Sequence, residues 1–522
     1  MPRPQPPFEE RYLAGEFAGF FELAPHQFDV ALDRTRSVPR QELAAALSED
    51  AGRLGAPAGT WRSLERLRHE NSRVVVTGQQ PGLLLGPAYT LSKALAAISL
   101  ARELDEPDRP VIPVFWVASQ DHDVAEMDHT YLFDLEERLH RVGVDLPEGA
   151  PVGHAPLRQE HLSALCLAIE QCSFPREHKQ EVYRLLDEAG EKARSYPDLF
   201  SAILYRLLGD EGLVILDPLR PAVAPLFRDV LAREIGAPSV TTRAINDAAV
   251  SLRQVGAQPQ LGRGVDATNL FITEGNDGEY SRQLLRFDGK AFQSRSREYG
   301  REELLRLLDS EPWRITPAAG LRPVTQDSVL PTAAFVVGPG ELRYIAQLRG
   351  VYEFHGVPMP VVWPRAQTVV LEPPTRRILA RYGISYDEYL RDRDDLARRV
   401  LLERHGKKEQ FERALARLER EFAELLDSVE GIDPTLKGTV IKSQSRLEAT
   451  VEALRNKTAQ ALAANDRTTS RQFERLEGQL FPSGVPQERQ LTVFSFFLKF
   501  GVEPMMHRYR QVGPGGLHII EP

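Results

Sequence analysis

The sequence has very few cysteines and no long hydrophobic run. Cys166 and Cys172 are the two cysteines in 522 residues, which argues against a scaffold held by disulfides. No run of about 18 apolar residues occurs, so no membrane-spanning helix is expected. The first ten residues lack the apolar core of a signal peptide. Together these absences predict a cytoplasmic protein.

Positive charge is not in excess. Lysine and arginine total 65 against 74 aspartate and glutamate, for a net charge of −9. We therefore expect no general attraction to nucleic acid or to an anionic membrane, and neither is predicted as a partner. The hydrophobic fraction of 42% and the charged fraction of 27% are typical of a globular protein, and the length allows more than one domain.

A β-α-β unit is the first clear pattern. Residues 73–77 are short and β-branched, as a buried parallel strand should be. Leu91, Leu95 and Ile98 share one face of the helix that follows. Residues 110–119 read as the next strand.

The loop between this strand and this helix, "GQQPGLLLGP" (78–87), matches neither common phosphate-binding loop. A plain turn is the alternative, but ten residues is long for one. A glycine-rich loop before a helix lets backbone N–H groups approach an anion, which favours a binding role. Lys93 is a candidate catalytic residue, and the candidate binding residues are Thr77, Gly78, Gln79, Gln80, Gly82, Gly86 and Tyr89.

A second polar cluster, "QDHD" (120–123), ends the next strand. A right-handed crossover brings it to the same sheet edge as the glycine-rich loop. Two carboxylates flanking an imidazole suit proton transfer or metal binding, whereas a solvated strand end is the bland alternative. The spacing is not diagnostic of a metal, and no metal-binding residues are predicted. The candidate catalytic residues here are Asp121, His122 and Asp123, with His129 as a binding residue.

Further strands are predicted at "GLVILDP" (212–218), in a hairpin within 261–293 with an Asp288-Gly289 turn, at "TAAFVV" (332–337) and at "MPVVWPRAQ" (359–367). This alternation of strands and helices predicts an α/β fold. The turn after "TAAFVV" and nearby arginines, which can grip carboxylate or phosphate, give a further set of binding candidates. They are Arg322, Gly338, Gly340, Glu341, Tyr344 and Arg365.

One group of potential metal ligands, His161, Cys166, Cys172 and His178, does not have the spacing of a zinc knuckle. We interpret these residues as parts of helix faces.

The character of the sequence changes near residue 385. A seam of apolar residues alternating in steps of four and three predicts a coiled-coil helix, with Gly431 at its end and Asp433-Pro434 opening a second helix. The seam is Phe411, Leu415, Leu418, Phe422, Leu425 and Val429, and the second helix carries Leu436, Val440, Leu447, Val451 and Leu454. The predicted division is a core (1–384), a helical arm (385–482) and a segment returning to the core (483–522). Because a two-helix arm leaves apolar surface exposed, a homodimer through the arm is predicted.

Several of these segments together resemble the cysteine ligase family of bacillithiol biosynthesis, BshC. They are "TGQQPGLLLGPAYTLSKA", "PVFWVASQDHDVAEMDH", "LRPVTQDSVLPTAAFVVGPGE", "HGVPMPVVWPR" and "PQERQLTVFSFFLKFG". The resemblance implies a Rossmann-like core akin to class I aminoacyl-tRNA synthetases, with connecting-peptide insertions and an α-helical coiled-coil domain. One departure is visible, because Gln120 stands where the family commonly has an acidic residue.

The resemblance also implies that cysteine is joined to the amine of glucosaminyl-malate to form bacillithiol. Because a carboxylate and an amine do not condense readily in water, ATP is expected as co-substrate, activating cysteine as an adenylate, with Mg²⁺ as a candidate companion of the ATP. The alternative is a non-catalytic nucleotide- or ligand-binding protein whose coiled coil offers a partner surface.

Overall fold

The computed structural model describes residues 6–276, 278–430 and 432–522, so the predicted helix end at Gly431 lies outside the described residues. The chain forms two compact units. One runs to Val370 and includes Gln487–Ile520, and the other is Leu371–Pro486. Within the described ranges, no helix combines the length and apolar character needed to cross a membrane.

The helices in the described residues are distributed over both units. Their bounds are α1 Phe8–Leu13, α2 Phe28–Asp33, α3 Arg40–Leu54, α4 Ala58–Leu67, α5 Tyr89–Leu104, α6 Gln159–Gln171, α7 Arg176–Gly190, α8 Tyr196–Leu208, α9 Arg228–Gly236, α10 Pro238–Gln254, α11 Arg301–Ser310, α12 Arg322–Val329, α13 Pro339–Ile345, α14 Arg349–His355, α15 Pro373–Tyr382, α16 Tyr386–Arg404, α17 Lys408–Glu430, α18 Lys437–Asn465, α19 Arg467–Leu480, α20 Gln487–Gln490, α21 Phe494–Phe500 and α22 Val502–Tyr509.

The described strands all lie in the first unit. Their bounds are β1 Arg73–Gln79, β2 Val111–Val117, β3 His129–Phe133, β4 Leu139–Gly143, β5 Val214–Leu216, β6 Ala267–Asn276, β7 Glu279–Phe287, β8 Phe292–Gln293, β9 Glu298–Tyr299, β10 Ile315–Pro317, β11 Thr332–Val337, β12 Val361–Pro364, β13 Gln367–Val370 and β14 Leu517–Ile520.

A five-stranded parallel sheet, in the order β12-β11-β1-β2-β5, forms the centre of the first unit. Its strands are buried on both faces, which explains their continuous apolar sequences. The α/β prediction is therefore confirmed. Since all five strands run the same way, their carboxyl ends meet at one edge, where open α/β sheets bind ligands.

The predicted β-α-β unit is β1-α5-β2, and its two strands pair directly, with Val74 opposite Ile112. The predicted inner face of α5 is confirmed, since Leu91, Leu95 and Ile98 are all buried. Nearly all of α5 is buried, including the polar residue Lys93.

The predicted hairpin is β6-β7, part of a second sheet in the order β10-β6-β7-β8-β9. The predicted Asp288-Gly289 turn joins β7 to β8. The Asp288 carboxylate accepts hydrogen bonds from the backbone N–H groups of Lys290 and Ala291. Gly289 has a φ of 99°, a conformation that favours glycine.

The loop after β1 differs from the open, glycine-rich cradle that the sequence suggested. Leu83–Leu85 form a buried 3₁₀ turn in which Leu84 has a φ of 50°. The Thr492 hydroxyl donates to the Leu84 carbonyl (2.6 Å), and the Ala88 N–H donates to the Leu491 carbonyl (2.7 Å). The C-terminal segment therefore holds this loop and occupies a backbone donor at the start of α5.

In the second unit, α17 packs along α18, and α18 also packs against α16. The predicted seam is half-buried along most of α17, although Leu425 is exposed. The prediction for the returning helix is wrong at Leu447 and Leu454, which are 45% and 59% exposed. They lie on a different face from the residues that pack against α16 and α17.

The contact of Thr492 with the loop after β1 can be tested by replacing this fully buried threonine with valine. Thr492→Val keeps the shape but leaves the Leu84 carbonyl without its donor, which should lower the free energy of unfolding by about 1–3 kcal/mol. Ser251→Ala is the control, because Ser251 is exposed and its hydroxyl donates to a carbonyl of its own helix. Urea unfolding of both variants measures the effect, and equal stabilities would show that the contact contributes nothing.

Candidate functional site

A pocket of about 590 Å³ opens at the carboxyl edge of the parallel sheet. Its walls come from the ends of β1 and β2, the start of α13, the β6-β7 hairpin and the C-terminal segment. The predicted site residues that line it are Gly78, Gln79, Gln80, Tyr89, Lys93, Asp121, His122, Arg322, Gly338, Gly340, Glu341, Tyr344 and Arg365.

Gln80 joins the two loops that the sequence placed at one edge. Its Nε2 donates to Asp121 Oδ2 (3.2 Å) and to the carboxylate of Glu126. Its neighbour Gln79 donates to Gln80 Oε1 (2.6 Å) and to the Tyr89 hydroxyl (3.2 Å). The adjacent glutamines therefore organise the polar wall between β1 and β2.

Lys93 is buried beneath this wall, and its three N–H groups have acceptors. Its Nζ lies 2.8 Å from the Gly78 carbonyl and 3.1 Å from Gln79 Oε1, and it forms an ion pair with Glu341. Burial lowers the pKa of Lys93, and the Glu341 carboxylate partly offsets this. Glu341 also accepts from the Gly338 N–H (2.8 Å). Lys93 thus ties the end of β1 to the start of α13.

Arg365 is also neutralised inside the pocket wall. It forms a two-point ion pair with Glu488, at 2.9 Å and 2.5 Å, and its guanidinium lies over the Tyr89 ring at 5.1 Å. Both partners are largely buried. Arg365 was predicted to bind an anion of the ligand, but its guanidinium is already paired with a carboxylate of the C-terminal segment.

Arg322 differs because its partners are uncharged. Its guanidinium donates to Gln326 Oε1 (3.1 Å) and to the Tyr344 hydroxyl (3.2 Å). In the described part of the chain, neither Arg322 nor the exposed Arg489, also in the pocket wall, forms an ion pair with a carboxylate. These two arginines are the cationic groups best able to receive an anion.

His122 contacts a buried arginine of the hairpin, Arg282. Arg282 Nη1 lies 3.1 Å from His122 Nδ1, and its guanidinium stacks on the Phe271 ring at 3.8 Å. Because a guanidinium can only donate, Nδ1 must be the unprotonated nitrogen, so neutral His122 carries its proton on Nε2. Burial and the Arg282 charge both lower the pKa of His122. His122 is therefore a neutral donor rather than a general base.

Glu126 lies on a 3₁₀ turn, Val124–Glu126, at the pocket wall. Burial raises its pKa, and the nearby carboxylates of Asp123 and Asp121 raise it further. A carboxylate with a raised pKa accepts a proton more readily, which suits it for proton transfer.

Five predicted site residues do not line the pocket. Thr77 is buried and donates to the Val336 carbonyl of β11 (2.9 Å), and His129 pairs with Asp128 (2.6 Å). Asp123 is exposed beside the pocket. Gly82 and Gly86 pack against each other, since a Cβ on Gly82 would lie 2.8 Å from Gly86 Cα. These two glycines allow close backbone approach and do not face a ligand.

Comparison with known proteins agrees with this architecture. The description "Bacillithiol biosynthesis BshC, N-terminal Rossmann-like domain" matches residues 8–366, and the C-terminal coiled-coil domain of the same family matches residues 368–510. The chain belongs to the BshC family.

Curated relatives of the BshC family cover nearly the whole chain. A Thermus thermophilus protein is 38% identical over 90% of this chain and 92% of its own length. A Geobacillus kaustophilus protein is 32% identical over 98% and 96%, and one from Geobacillus thermodenitrificans is 31% identical over 93% and 91%. All three carry the name "Putative cysteine ligase BshC".

Sequence reasoning missed several residues of this BshC pocket. Glu126 could have been found from the sequence, because it is a carboxylate in the segment directly after the "QDHD" cluster. Arg489 and Glu488 lie in the "PQERQ" segment, which carried the family resemblance but no assigned role. Arg282 and Phe271 gave no signal, because only the folded position of the hairpin brings them to the sheet edge.

The group of His161, Cys166, Cys172 and His178 lies on or beside α6 and α7. Across residues 6–276, 278–430 and 432–522, no cluster of three or more His, Cys, Asp or Glu side chains is placed to hold a metal ion.

The contact of His122 with Arg282 predicts a measurable titration. Arg282→Met removes one of the two causes that lower the pKa of His122, so that pKa should rise toward the ordinary value near 6.5. NMR of the ¹⁵N-histidine-labelled protein, with the His122 signals assigned by His122→Gln, should show Nε2–H in wild type. An Nδ1–H tautomer in wild type, or an unchanged pKa in the variant, would contradict the contact.

Proposed function

We propose that the protein joins L-cysteine to the amine of glucosaminyl-malate, forming bacillithiol with ATP as the activating co-substrate. The proposal rests on the names of the relatives and on one feature of the pocket, the presence in its lining of both carboxylates and, within the described residues, unpaired arginines. Asp121 and Glu126 lie together, since both accept from Gln80, and Arg322 and Arg489 line the same pocket. A zwitterionic amino acid and an anionic activating group require this combination.

Activation is the first step. A cysteine carboxylate oxygen attacks the α-phosphorus of ATP, which forms cysteinyl adenylate and releases pyrophosphate. Arg322, whose present partners are neutral, would stabilise the charge on the phosphoryl oxygens. Asp121 would hold the cysteine ammonium.

Amide formation is the second step. The amine nitrogen of glucosaminyl-malate attacks the acyl carbon, the carbon–oxygen bond to AMP breaks, and the nitrogen loses a proton. Glu126 is the base we assign to that proton, because it lines the pocket and its pKa is raised. His122 would donate a hydrogen bond from Nε2 to a substrate oxygen that carries negative charge or develops it during the reaction.

The acceptor brings the two carboxylates of its malate group, which need cationic partners. Arg489 is exposed at the pocket wall and is the cation we assign to these carboxylates.

The Mg²⁺ expected with ATP needs only one or two protein carboxylates beside the phosphates, and Asp123, which lies beside the pocket and has no role in the steps above, would supply one. The resemblance predicts a likeness to class I aminoacyl-tRNA synthetases, with connecting-peptide insertions. Formation of an aminoacyl adenylate would be the chemistry that this protein shares with those enzymes. The cytoplasm, which holds ATP and cysteine, is the proposed compartment.

The direct test is to incubate the protein with cysteine, glucosaminyl-malate and Mg-ATP and to identify the products by mass spectrometry. We expect bacillithiol with one AMP and one pyrophosphate per amide formed. ADP and phosphate would contradict the adenylate route. Nucleotide binding without any consumption would instead support the non-catalytic binding protein.

The role of Glu126 gives a second prediction. Glu126→Gln keeps the shape and the contact with Gln80 but removes the base, which should lower kcat about 100-fold or more. Glu148→Gln, an exposed carboxylate outside the pocket, should leave kcat unchanged. Similar kcat values for both variants would remove Glu126 from the mechanism.

We also propose that the protein is a homodimer through the arm near residues 385–480. Four apolar side chains of α17 and α18 are at least 45% exposed, and a second copy would cover them. They are Leu425, Ile441, Leu447 and Leu454.

A double variant tests the dimer. Leu447→Glu with Leu454→Glu places charge on this apolar face, which is costly to bury unpaired, and should give monomers. Ala449→Glu with Ala453→Glu, at exposed positions on another face of α18, should remain dimeric. Multi-angle light scattering measures both masses. A monomeric wild type at micromolar concentration would rule the dimer out.

A further inference from the structure

One buried polar side chain of the pocket, Gln120, is not used by the proposed reaction. It belongs to a row on β2 and the turn that follows, in which Trp116, Ala118 and Gln120 all line the pocket. The residues between them, Val117 and Ser119, do not line it. This alternation is that of side chains along a strand, so Gln120 lies on the face of the row that is turned to the pocket.

The Gln120 amide is unpaired although the residue is only 7% exposed. Its side chain forms no hydrogen bond with any residue in 6–276, 278–430 or 432–522. Neither amide atom is completely buried, so the exposed part of the residue includes the amide, which opens into the pocket. A largely buried polar group without partners is unfavourable, and a ligand that supplies the partners would remove that cost.

The other glutamines at this edge of the sheet differ, because their amides are already used. Gln79 donates to Gln80, and Gln80 donates to Asp121 and to Glu126. These contacts hold the pocket wall together. The Gln120 amide lies outside this network and is therefore available to a ligand.

The backbone on both sides of Gln120 is held in place. The Gly153 N–H donates to the Ser119 carbonyl, and the Val152 N–H donates to the Asp121 carbonyl, both at 2.8 Å. Ser119 and Asp121 are the two residues that flank Gln120. The amide is therefore positioned before a ligand arrives, which lowers the entropy cost of binding.

The chemistry of an amide indicates the ligand. Its nitrogen donates, its oxygen accepts, and the group carries no charge. A hydroxyl also donates and accepts, so two neighbouring hydroxyls of a sugar ring can pair with both ends of one amide. The rest of the row, Trp116 and Ala118, is apolar and suits the C–H groups of such a ring. We propose that Gln120 determines specificity by binding two neighbouring hydroxyls of a sugar ring.

This inference rests on the proposed function, in which two substrates carry such a ring. One is the glucosamine ring of the acceptor, and the other is the ribose of ATP. Both present the same hydroxyl chemistry, so the experiment has an arm for each.

Calorimetric titration of the full chain compares each substrate with its deoxy form, glucosaminyl-malate with 3-deoxyglucosaminyl-malate and Mg-ATP with Mg-3′-deoxy-ATP. In one of these pairs, wild type should bind the hydroxylated form about tenfold more tightly, because the deoxy form leaves part of the amide unpaired. Gln120→Met keeps the length but removes both amide atoms, so it should abolish that difference. Gln410→Met, at an exposed position on α17, is the matched control and should retain it.

A second variant, Gln120→Glu, keeps an acceptor but loses the donor, and should show a smaller preference than wild type. The pair that responds identifies the ring as glucosamine or ribose. Equal affinities within both pairs in wild type would overturn the proposal, as would a difference that persists in both Gln120 variants or a wild type that binds neither substrate. Because the measurement is of binding, a loss of preference in Gln120→Met without bacillithiol formation by wild type would support the role of Gln120 and contradict the proposed reaction.

Discussion

The buried ammonium of Lys93 has three partners in the pocket wall, two at the end of β1 and one at the start of α13. It contacts the Gly78 carbonyl, the Gln79 side chain and the Glu341 carboxylate. A buried cation is tolerated only when such partners are present, so these contacts oblige the end of β1 and the start of α13 to stay together. Moving α13 away from the end of β1 would leave this buried charge without its carboxylate partner, so the contact stabilises this part of the pocket wall.

The charges of the pocket follow from this constraint. Lys93 and Arg365 are neutralised by Glu341 and Glu488, and they act as structural cations. What remains available in the pocket wall is Arg322 and Arg489, with Asp121 and Glu126. These groups explain the assignment of roles in the proposed reaction, in which the two carboxylates handle ammonium and protons and the two arginines handle the anionic groups.

The sequence predicted the parts of the fold that depend on local pattern. Buried parallel strands read as apolar runs, and a right-handed crossover places consecutive strand ends at one edge. For this reason Gln80 and Asp121 could be predicted to meet, and the structure brings them within 3.2 Å.

The sequence could not predict contacts that depend on where distant segments fold. Arg282 arrives from an antiparallel hairpin, and Glu488 arrives from the C-terminal segment. The glycines of the loop were misread because glycine serves close backbone packing as well as ligand approach, and Gly82 and Gly86 serve the former. Leu447 was predicted to pack inside the arm but is exposed, because apolar residues at heptad spacing can lie on either of two faces of the helix.

A crystal structure with a non-hydrolysable cysteinyl-adenylate analogue, in which a sulfamoyl group replaces the phosphoryl group, would test the site most directly. The cysteinyl ammonium should lie within hydrogen-bonding distance of Asp121 or Glu126, with the sulfamoyl oxygens facing Arg322. An analogue bound outside the pocket, or one with its ammonium away from both Asp121 and Glu126, would contradict the assigned roles.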